Sequence, residues 1–309
     1  MTSTTATLLP APASLRGPFR LALAILVSMT LTILKGALTT STGSGMAFPD
    51  APLSHGELMP ESSYTTIPGF LEHFHRLFAA GTGLLALALA IWLQVGGLGS
   101  RRARATAWIG GCVILTQGLI GIVGVWKNLP AVTSVTHGTL AQLTLALFAW
   151  LAYLLSDRYR ATLPLRNVVP GTGRRIAVLG VVMMVVQTVF GAVARHTNSA
   201  HALWTHAGNS LVVFVVATIA TAFAVGKLGE APGIKSLARW IVGLLVTQIA
   251  LGFVVLVVRN PDGKRPENVE NLGAAATISV HVVIGALLTV LMATLAAHVF
   301  RASRRDVGA

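Results

Sequence analysis

Charge is scarce in this sequence, which excludes an ordinary soluble domain. Only 11% of the 309 residues are charged and 54% are hydrophobic, and the mean hydropathy is +0.73. Soluble domains carry about 25% charged residues. The formal net charge is +13, but the basic residues lie in short segments between apolar runs. That pattern is typical of membrane topology rather than of nucleic-acid binding. The composition predicts an integral membrane protein whose partner is the lipid bilayer, with no nucleic acid.

Cysteine is nearly absent as well. The single Cys112 lies inside an apolar run. It excludes an intramolecular disulfide and any metal or iron–sulfur site built from several cysteines.

Eight apolar runs are long enough to cross a bilayer, which takes about 20 residues. They lie at about 21–39, 74–95, 105–126, 132–155, 175–194, 203–226, 238–258 and 275–299. If the N-terminus is cytoplasmic, 16 of the 23 lysines and arginines fall on the cytoplasmic side. The positive-inside rule therefore predicts a multi-pass protein with both termini in the cytoplasm. We expect it in the cytoplasmic (inner) membrane.

The two halves of the chain resemble each other. TQGLIG at 116–121 and TQIALG at 247–252 share Thr, Gln and Gly at an offset of 131, and His75 and His206 are separated by the same offset. We therefore expect an all-α integral membrane protein with eight transmembrane helices as two tandem pseudo-symmetric four-helix bundles. The expected segments are a cytoplasmic tail at 1–20, an N-terminal bundle at 21–155, a cytoplasmic linker at 156–174, a C-terminal bundle at 175–299 and a tail at 300–309.

Four histidines occupy matching positions near the start of the second and fourth spans of each half: His75, His137, His206 and His281. All four then lie near the outer surface, one pair in each bundle. Two facing imidazoles at equal depth between helices can serve as the axial ligands of a heme iron. The alternative is that each histidine binds water at the membrane boundary. Two repeated pairs at matched depth favour a functional role, since ionisable residues inside membranes usually mark function.

The halves differ around the first histidine. Glu72 stands three residues before His75 and Arg76 directly follows it, whereas the second half has Leu203 and Ala207 in these places. Residues at i and i+3 share a helix face, so the carboxylate can point at whatever lies beside the His75 iron position. An ion pair between Glu72 and Arg76, or simple anchoring at the interface, is the alternative. The asymmetry predicts one bundle that reacts and one that holds a redox cofactor.

With these residues in view, the chain resembles the heme A synthase family of respiratory-membrane enzymes over nearly all of 21–299. The motifs that carry the resemblance are TGSGMAFPD at 42–50, ExxHR at 72–76, QGLIG at 117–121, RHT at 195–197, His137, His206 and His281. The resemblance implies oxidation of a methyl group of heme O to a formyl group by successive hydroxylations, giving heme A for cytochrome oxidases.

The resemblance also implies roles for individual residues. His75 and His137 would flank the iron of the substrate heme O, and His206 and His281 would ligate heme b. Glu72 would be the acidic residue near the reacting methyl, so that Glu72, His75 and His137 form the catalytic set.

The heme propionates would pair with Arg76 and Arg195. Thr40 stands where the family usually has a basic residue, and Lys35, one turn earlier, is a candidate substitute. His196 could help Arg195 hold an anionic group. The 40–71 loop could cover the substrate pocket or be a loose connector.

Other functions fit part of the pattern. A membrane electron-transfer cytochrome with two bis-histidine hemes and no heme-modifying activity would use the same four histidines, but gives Glu72 no reason to occur in one half only. A transporter or assembly factor is the second alternative, and no acidic residue lies deep in any span to support transport. The synthase interpretation adds two possible partners, an upstream heme O synthase and an electron donor.

Overall fold

The computed structural model describes residues 13–161, 170–258 and 271–302. The predicted tails and the predicted linker therefore lie partly outside the described residues. Within those ranges the chain forms helices and no β-strand. The helices are α1 (Ala13–Ser41), α2 (Ser62–Thr65), α3 (Ile67–Val95), α4 (Arg101–Trp126), α5 (Ala131–Leu155), α6 (Asp157–Ala161), α7 (Pro170–Thr197), α8 (Ala200–Leu228), α9 (Ile234–Val258) and α10 (Leu272–Ala302).

Eight of these helices, all but α2 and α6, are long and apolar enough to cross a membrane. The predicted all-α fold with eight membrane spans is thereby confirmed. Residues 13–20, expected in the tail, already belong to α1. Helix α3 begins seven residues before the predicted run, because Oγ1 of Thr66 accepts the Gly69 N–H and caps the helix start. Glu72, which precedes the predicted run, consequently lies in α3 together with His75.

The helices form two rings of four. Helices α1, α3, α4 and α5 contact one another in sequence around the N-terminal bundle, and α7 to α10 do the same around the C-terminal bundle. Each ring has its own hydrophobic core, with Ala286 of α10 also packing into the N-terminal one. Between the rings, α1 meets α10, and α5 meets both α7 and α10. This arrangement is consistent with the predicted tandem bundles.

Small residues bring the helices close together inside each bundle. Buried alanines recur along the contact faces, among them Ala22, Ala86, Ala90, Ala103, Ala107, Ala217, Ala220 and Ala224. Lipid tails are as apolar as leucine, so helices in a bilayer associate through close van der Waals packing and interhelical hydrogen bonds. A bond of 2.7 Å between the hydroxyls of Ser28 and Thr82 joins α1 to α3 in this way.

The 42–61 loop between α1 and α2 is folded on itself. Both carboxylate oxygens of Asp50 accept backbone N–H groups, from His55 and Gly56, at 2.8 Å each. Burial raises the pKa of Asp50, but these N–H groups outweigh it and leave that pKa below its usual value. The loop also reaches the α4–α5 connection, where Gly45 lies against Leu129: an added Cβ would be 2.9 Å from Cδ1 of that leucine.

Candidate functional site

The four histidines form two facing pairs, one in each bundle. The rings of His75 on α3 and His137 on α5 have centroids 6.4 Å apart and planes at 75°. Those of His206 on α8 and His281 on α10 have centroids 6.3 Å apart and planes at 81°. All four residues lie within the first ten positions of their helices. The structure thus brings together both predicted pairs with nearly identical geometry.

The spacing of each pair fits a single metal ion between the rings. An imidazole nitrogen binds a transition metal at about 2 Å, so two imidazoles on one ion have ring centres about 6 Å apart. No group of three or more His, Cys, Asp or Glu side chains suited to a metal occurs in the described ranges. Two imidazoles at this spacing can serve as the axial ligands of an ion whose remaining ligands come from a macrocycle, as in a heme.

The hydrogen bonds of the rings indicate which nitrogen is available. Nδ1 of His75 lies 3.1 Å from the carbonyl oxygen of Thr32. A carbonyl can only accept, so Nδ1 carries the proton and Nε2 keeps the lone pair that a metal needs. Nδ1 of His137, His206 and His281 is buried and has no hydrogen-bond partner among the described residues. His75 therefore differs from the other three histidines in that its Nδ1 is held by a hydrogen bond.

Glu72 is buried beside the first pair, with 3% of its surface exposed. Its Oε2 accepts the N–H of Phe48 at 3.0 Å, and its Oε1 pairs with Nη2 of Arg76. The guanidinium of Arg76 also donates to the carbonyls of Asp50 and Leu53 at 2.6 Å each and of Phe48 at 2.8 Å. The ion pair considered as an alternative from the sequence is thus present, and its two members bind the 42–61 loop.

His73 takes part in the same attachment. Its Nδ1 lies 3.0 Å from Oγ of Ser54, and both side chains are buried. The ring of Phe48 packs edge-on against it at 6.0 Å between centroids. Sequence reasoning gave His73 no role, because the loop carries no pattern that shows which α3 residue it will meet.

Comparison with known proteins identifies the family. The sequence model of COX15-CtaA, described as a cytochrome oxidase assembly protein, matches residues 19–212. The chain belongs to the COX15-CtaA family. The matched range contains Glu72, His75, His137 and His206 and ends before His281.

Curated relatives of this COX15-CtaA chain carry a common name. Heme A synthase of Bacillus licheniformis is 27% identical over 179 residues, covering 56% of this chain and 57% of the relative. Heme A synthase of Exiguobacterium sibiricum is 26% identical over 177 residues, covering 57% and 58%. Heme A synthase of Listeria welshimeri is 25% identical over 183 residues, covering 58% of each. The chain therefore spans less than two thirds of the length of these relatives.

Arg195 of the COX15-CtaA chain links the two bundles. It lies in the last turn of α7, and its Nη2 donates to the carbonyl of Ala37 at 2.7 Å and to Oγ of Ser41 at 2.8 Å, both on α1. Ser41 in turn lies 3.4 Å from Oγ of Ser279 on α10. The predicted pairing of Arg195 with a propionate stays a prediction, as does that of Arg76.

Lys35 points toward α3. Its Nζ lies 3.9 Å from the centroid of the Phe70 ring and 5.6 Å from that of Phe74. A cation over an aromatic face is favourable, and more so where water is scarce. The aromatic pair accounts for the position of this lysine in the structure.

Three glutamines contact the histidines, and two of them, Gln117 and Gln248, belong to the repeated segments TQGLIG and TQIALG. Nε2 of Gln117 donates to the backbone carbonyl of His137 at 2.6 Å, and Nε2 of Gln187 to that of His206 at 2.9 Å. The third contact is made at a ring: Nε2 of Gln248 lies 3.3 Å from Nε2 of His281. The glutamine shared by TQGLIG and TQIALG was the signal that could have found two of them.

Proposed function

We propose that this protein is a heme A synthase, which oxidises a methyl group of heme O to a formyl group by successive hydroxylations and so provides heme A for cytochrome oxidase. The observation that carries the proposal is the double pair of facing imidazoles in a chain of the COX15-CtaA family. A buried carboxylate one turn from one pair only, and the name of the curated relatives, support it.

In this proposal the N-terminal bundle, residues 21–155, binds the substrate heme O between His75 and His137. The C-terminal bundle, residues 175–299, binds heme b between His206 and His281. Heme b, when bound there, supplies one-electron transfer. The near-identical spacing of the two pairs supports one heme in each bundle.

Glu72 is proposed to act on the reacting end of the substrate. One turn of helix separates it from His75, and Arg76 and the Phe48 N–H hold its carboxylate in place. A fixed, buried negative charge stabilises positive charge that develops nearby and can relay a proton between two steps. His75 and His137 complete the catalytic set by orienting the substrate through its iron.

The proposed setting is the cytoplasmic membrane, with both termini in the cytoplasm and both heme sites near the outer face. The distribution of basic residues supports this orientation. Arg76 and Arg195 are proposed to pair with propionates. Heme O requires a heme O synthase upstream, and the oxidation requires an electron-transfer partner; both are proposed as partners.

The pigments of the purified protein test the proposal. The protein would be purified in mild detergent from cells that also make heme O, and its extracted hemes identified by mass. Heme b together with heme O, a hydroxylated derivative or heme A is the expected result. Glu72→Ala should lose the oxidised products, whereas Glu57→Ala, a change at an exposed acid of the same loop, should not. Heme b alone, at two per chain in both variants, would refute the proposal.

A bis-histidine electron-transfer cytochrome is the second candidate, and one observation favours it. The observed partners of the Glu72 carboxylate are the 42–61 loop and the arginine that binds that loop. Only the first bundle has a long loop between its first and second spans. Anchoring that loop explains why the first half has Glu72 and the second half has no matching acid, and it requires no catalytic role for Glu72. The pigment analysis separates the two candidates.

A further inference from the structure

Each of the four histidine rings lies against a glycine of the neighbouring helix. The glycines stand on the helix that precedes each histidine-bearing helix, near the end that is joined to it. The pairs are Gly36 of α1 with His75, Gly121 of α4 with His137, Gly191 of α7 with His206, and Gly252 of α9 with His281.

Two of these contacts leave no room for a side chain. A Cβ added to Gly36 would lie 2.7 Å from Cε1 of His75, and one added to Gly191 would lie 2.9 Å from Cε1 of His206. Approaches this short force the ring to shift, since an imidazole is stiff and its helix is packed. The two tight contacts occupy the same place in their bundles, between the first and second spans.

The other two contacts are looser. A Cβ on Gly121 would lie 3.3 Å from Cε1 of His137, and one on Gly252 would lie 3.4 Å from Cε1 of His281. Such distances need a movement of a few tenths of an ångström at most. They too share one place, between the third and fourth spans of each bundle.

A polar group one helical turn before each glycine bonds to the same histidine. These groups belong to Thr32, Gln117, Gln187 and Gln248, each four residues before its glycine. In three of the hairpins the group is a glutamine amide. In the first hairpin it is the backbone carbonyl of Thr32, which accepts from Nδ1 of the His75 ring.

We propose that Gly36, Gly121, Gly191 and Gly252 are positioning residues for the four imidazoles, each acting together with the polar group one turn before it. The eight spans then contain four helical hairpins of one pattern, in which a glycine of the first helix leaves the space for the ring on the second. The polar group one turn earlier bonds to the ring of His75 or His281, or to the backbone carbonyl of His137 or His206. The inference rests on the proposed heme binding and extends it to glycines that contact the histidine rings.

The neighbouring glycines of α4 provide controls. A Cβ on Gly110 would lie 2.7 Å from the ring of Phe148, as close as at Gly36 but against a core side chain. A Cβ on Gly118 would meet nothing within 4 Å. Gly110→Ala therefore tests the effect of an overpacked helix contact that involves no histidine. Gly118→Ala tests the effect of replacing a helical glycine by alanine where there is no close contact.

The experiment compares purified alanine variants by heme content, identified by mass, and by the ferric low-spin EPR signal of each heme. Gly36→Ala should weaken heme O binding by about tenfold or more, as expected for overpacking, and leave heme b and its EPR signal unchanged. Gly191→Ala should do the reverse. Gly121→Ala and Gly252→Ala should retain their heme and shift its EPR signal. Gly110→Ala should lower the unfolding temperature without selective loss of one heme, and Gly118→Ala should match the parent.

Parental heme content and EPR signals in both Gly36→Ala and Gly191→Ala would overturn the inference while leaving the proposed function intact. So would the same selective heme loss in Gly110→Ala, because the effect would then be general packing. A parent chain that binds no heme would refute the proposed function, and this inference with it.

Discussion

Glu72→Gln separates the two roles that the structure allows for this residue. Glutamine has the same shape and keeps one oxygen acceptor, but it removes the charge that faces Arg76. In the native protein the Glu72 side chain is 4% exposed and that of Arg76 18% exposed, so water does little to replace the lost partner. A hydrogen bond to a charged group is worth about 1.5–3 kcal/mol. We therefore expect the attachment of the 42–61 loop to weaken by about 2 kcal/mol.

A loss of about 2 kcal/mol corresponds to a roughly 30-fold larger population of the detached loop. Hydrogen exchange with mass-spectrometric detection measures it at the Phe48 N–H, which donates to Glu72 in the native protein. The expected result is a roughly 30-fold faster exchange in Glu72→Gln at constant pH. Glu57→Gln, at an exposed position of the same loop, should exchange at the parental rate.

Equal exchange in both variants would refute the reasoning, because the carboxylate would then not hold the loop. If exchange accelerates and heme A production stops, Arg76→Gln decides between the roles. That variant removes the bonds of the arginine to three loop carbonyls but keeps the carboxylate, so retained heme A production would assign chemistry to Glu72 beyond anchoring.

Three further predictions concern separate parts of the molecule. His75→Ala should remove heme O and leave heme b bound, as shown by mass analysis of the extracted pigments; joint loss of both hemes would contradict independent sites. Arg195→Leu removes two hydrogen bonds that a charged donor makes to α1. It should lower the free energy of unfolding by about 3 kcal/mol, the lower end of the range for two such bonds, as measured by thermal unfolding against Arg239→Leu at an exposed position. Because backbone N–H groups lower the pKa of Asp50 despite burial, its ionised form stabilises the folded loop fully above the unfolded pKa of about 3.9, and this contribution is lost as the pH falls through the lower folded-state pKa. The titration of Asp50 should therefore leave the hydrogen-exchange protection of residues 55–57 unchanged between pH 5 and 8. Asp50→Asn should lose that protection throughout the same range.

The spans and the histidine pairs could be predicted from the sequence because both leave regular signals. Apolar runs of membrane length define the eight helices, and the offset of 131 shared by His75 and His206 pointed to matched bundles. The facing of His75 and His137 then follows from their equal depth on helices of one bundle.

The attachment of the loop could not be predicted in the same way. Arg76 binds the carbonyls of Asp50, Leu53 and Phe48, and backbone carbonyls are the same in every sequence. The glycine contacts were hidden for a related reason: glycine is common in membrane helices, and Gly36 differs from Gly81 only in what the fold places beside it.

The 42–61 loop has a consequence for the path of a substrate. It is tied to α3 through Arg76 and reaches the α4–α5 connection at Leu129, so it lies across the end of the N-terminal bundle that holds His75. A heme with a long isoprenoid chain dissolves in the bilayer rather than in water. On the proposed function, heme O reaches the site between His75 and His137 by lateral diffusion in the membrane and enters between helices from the lipid side. The relevant concentration of substrate is then its mole fraction in the membrane, not its amount per volume of cell.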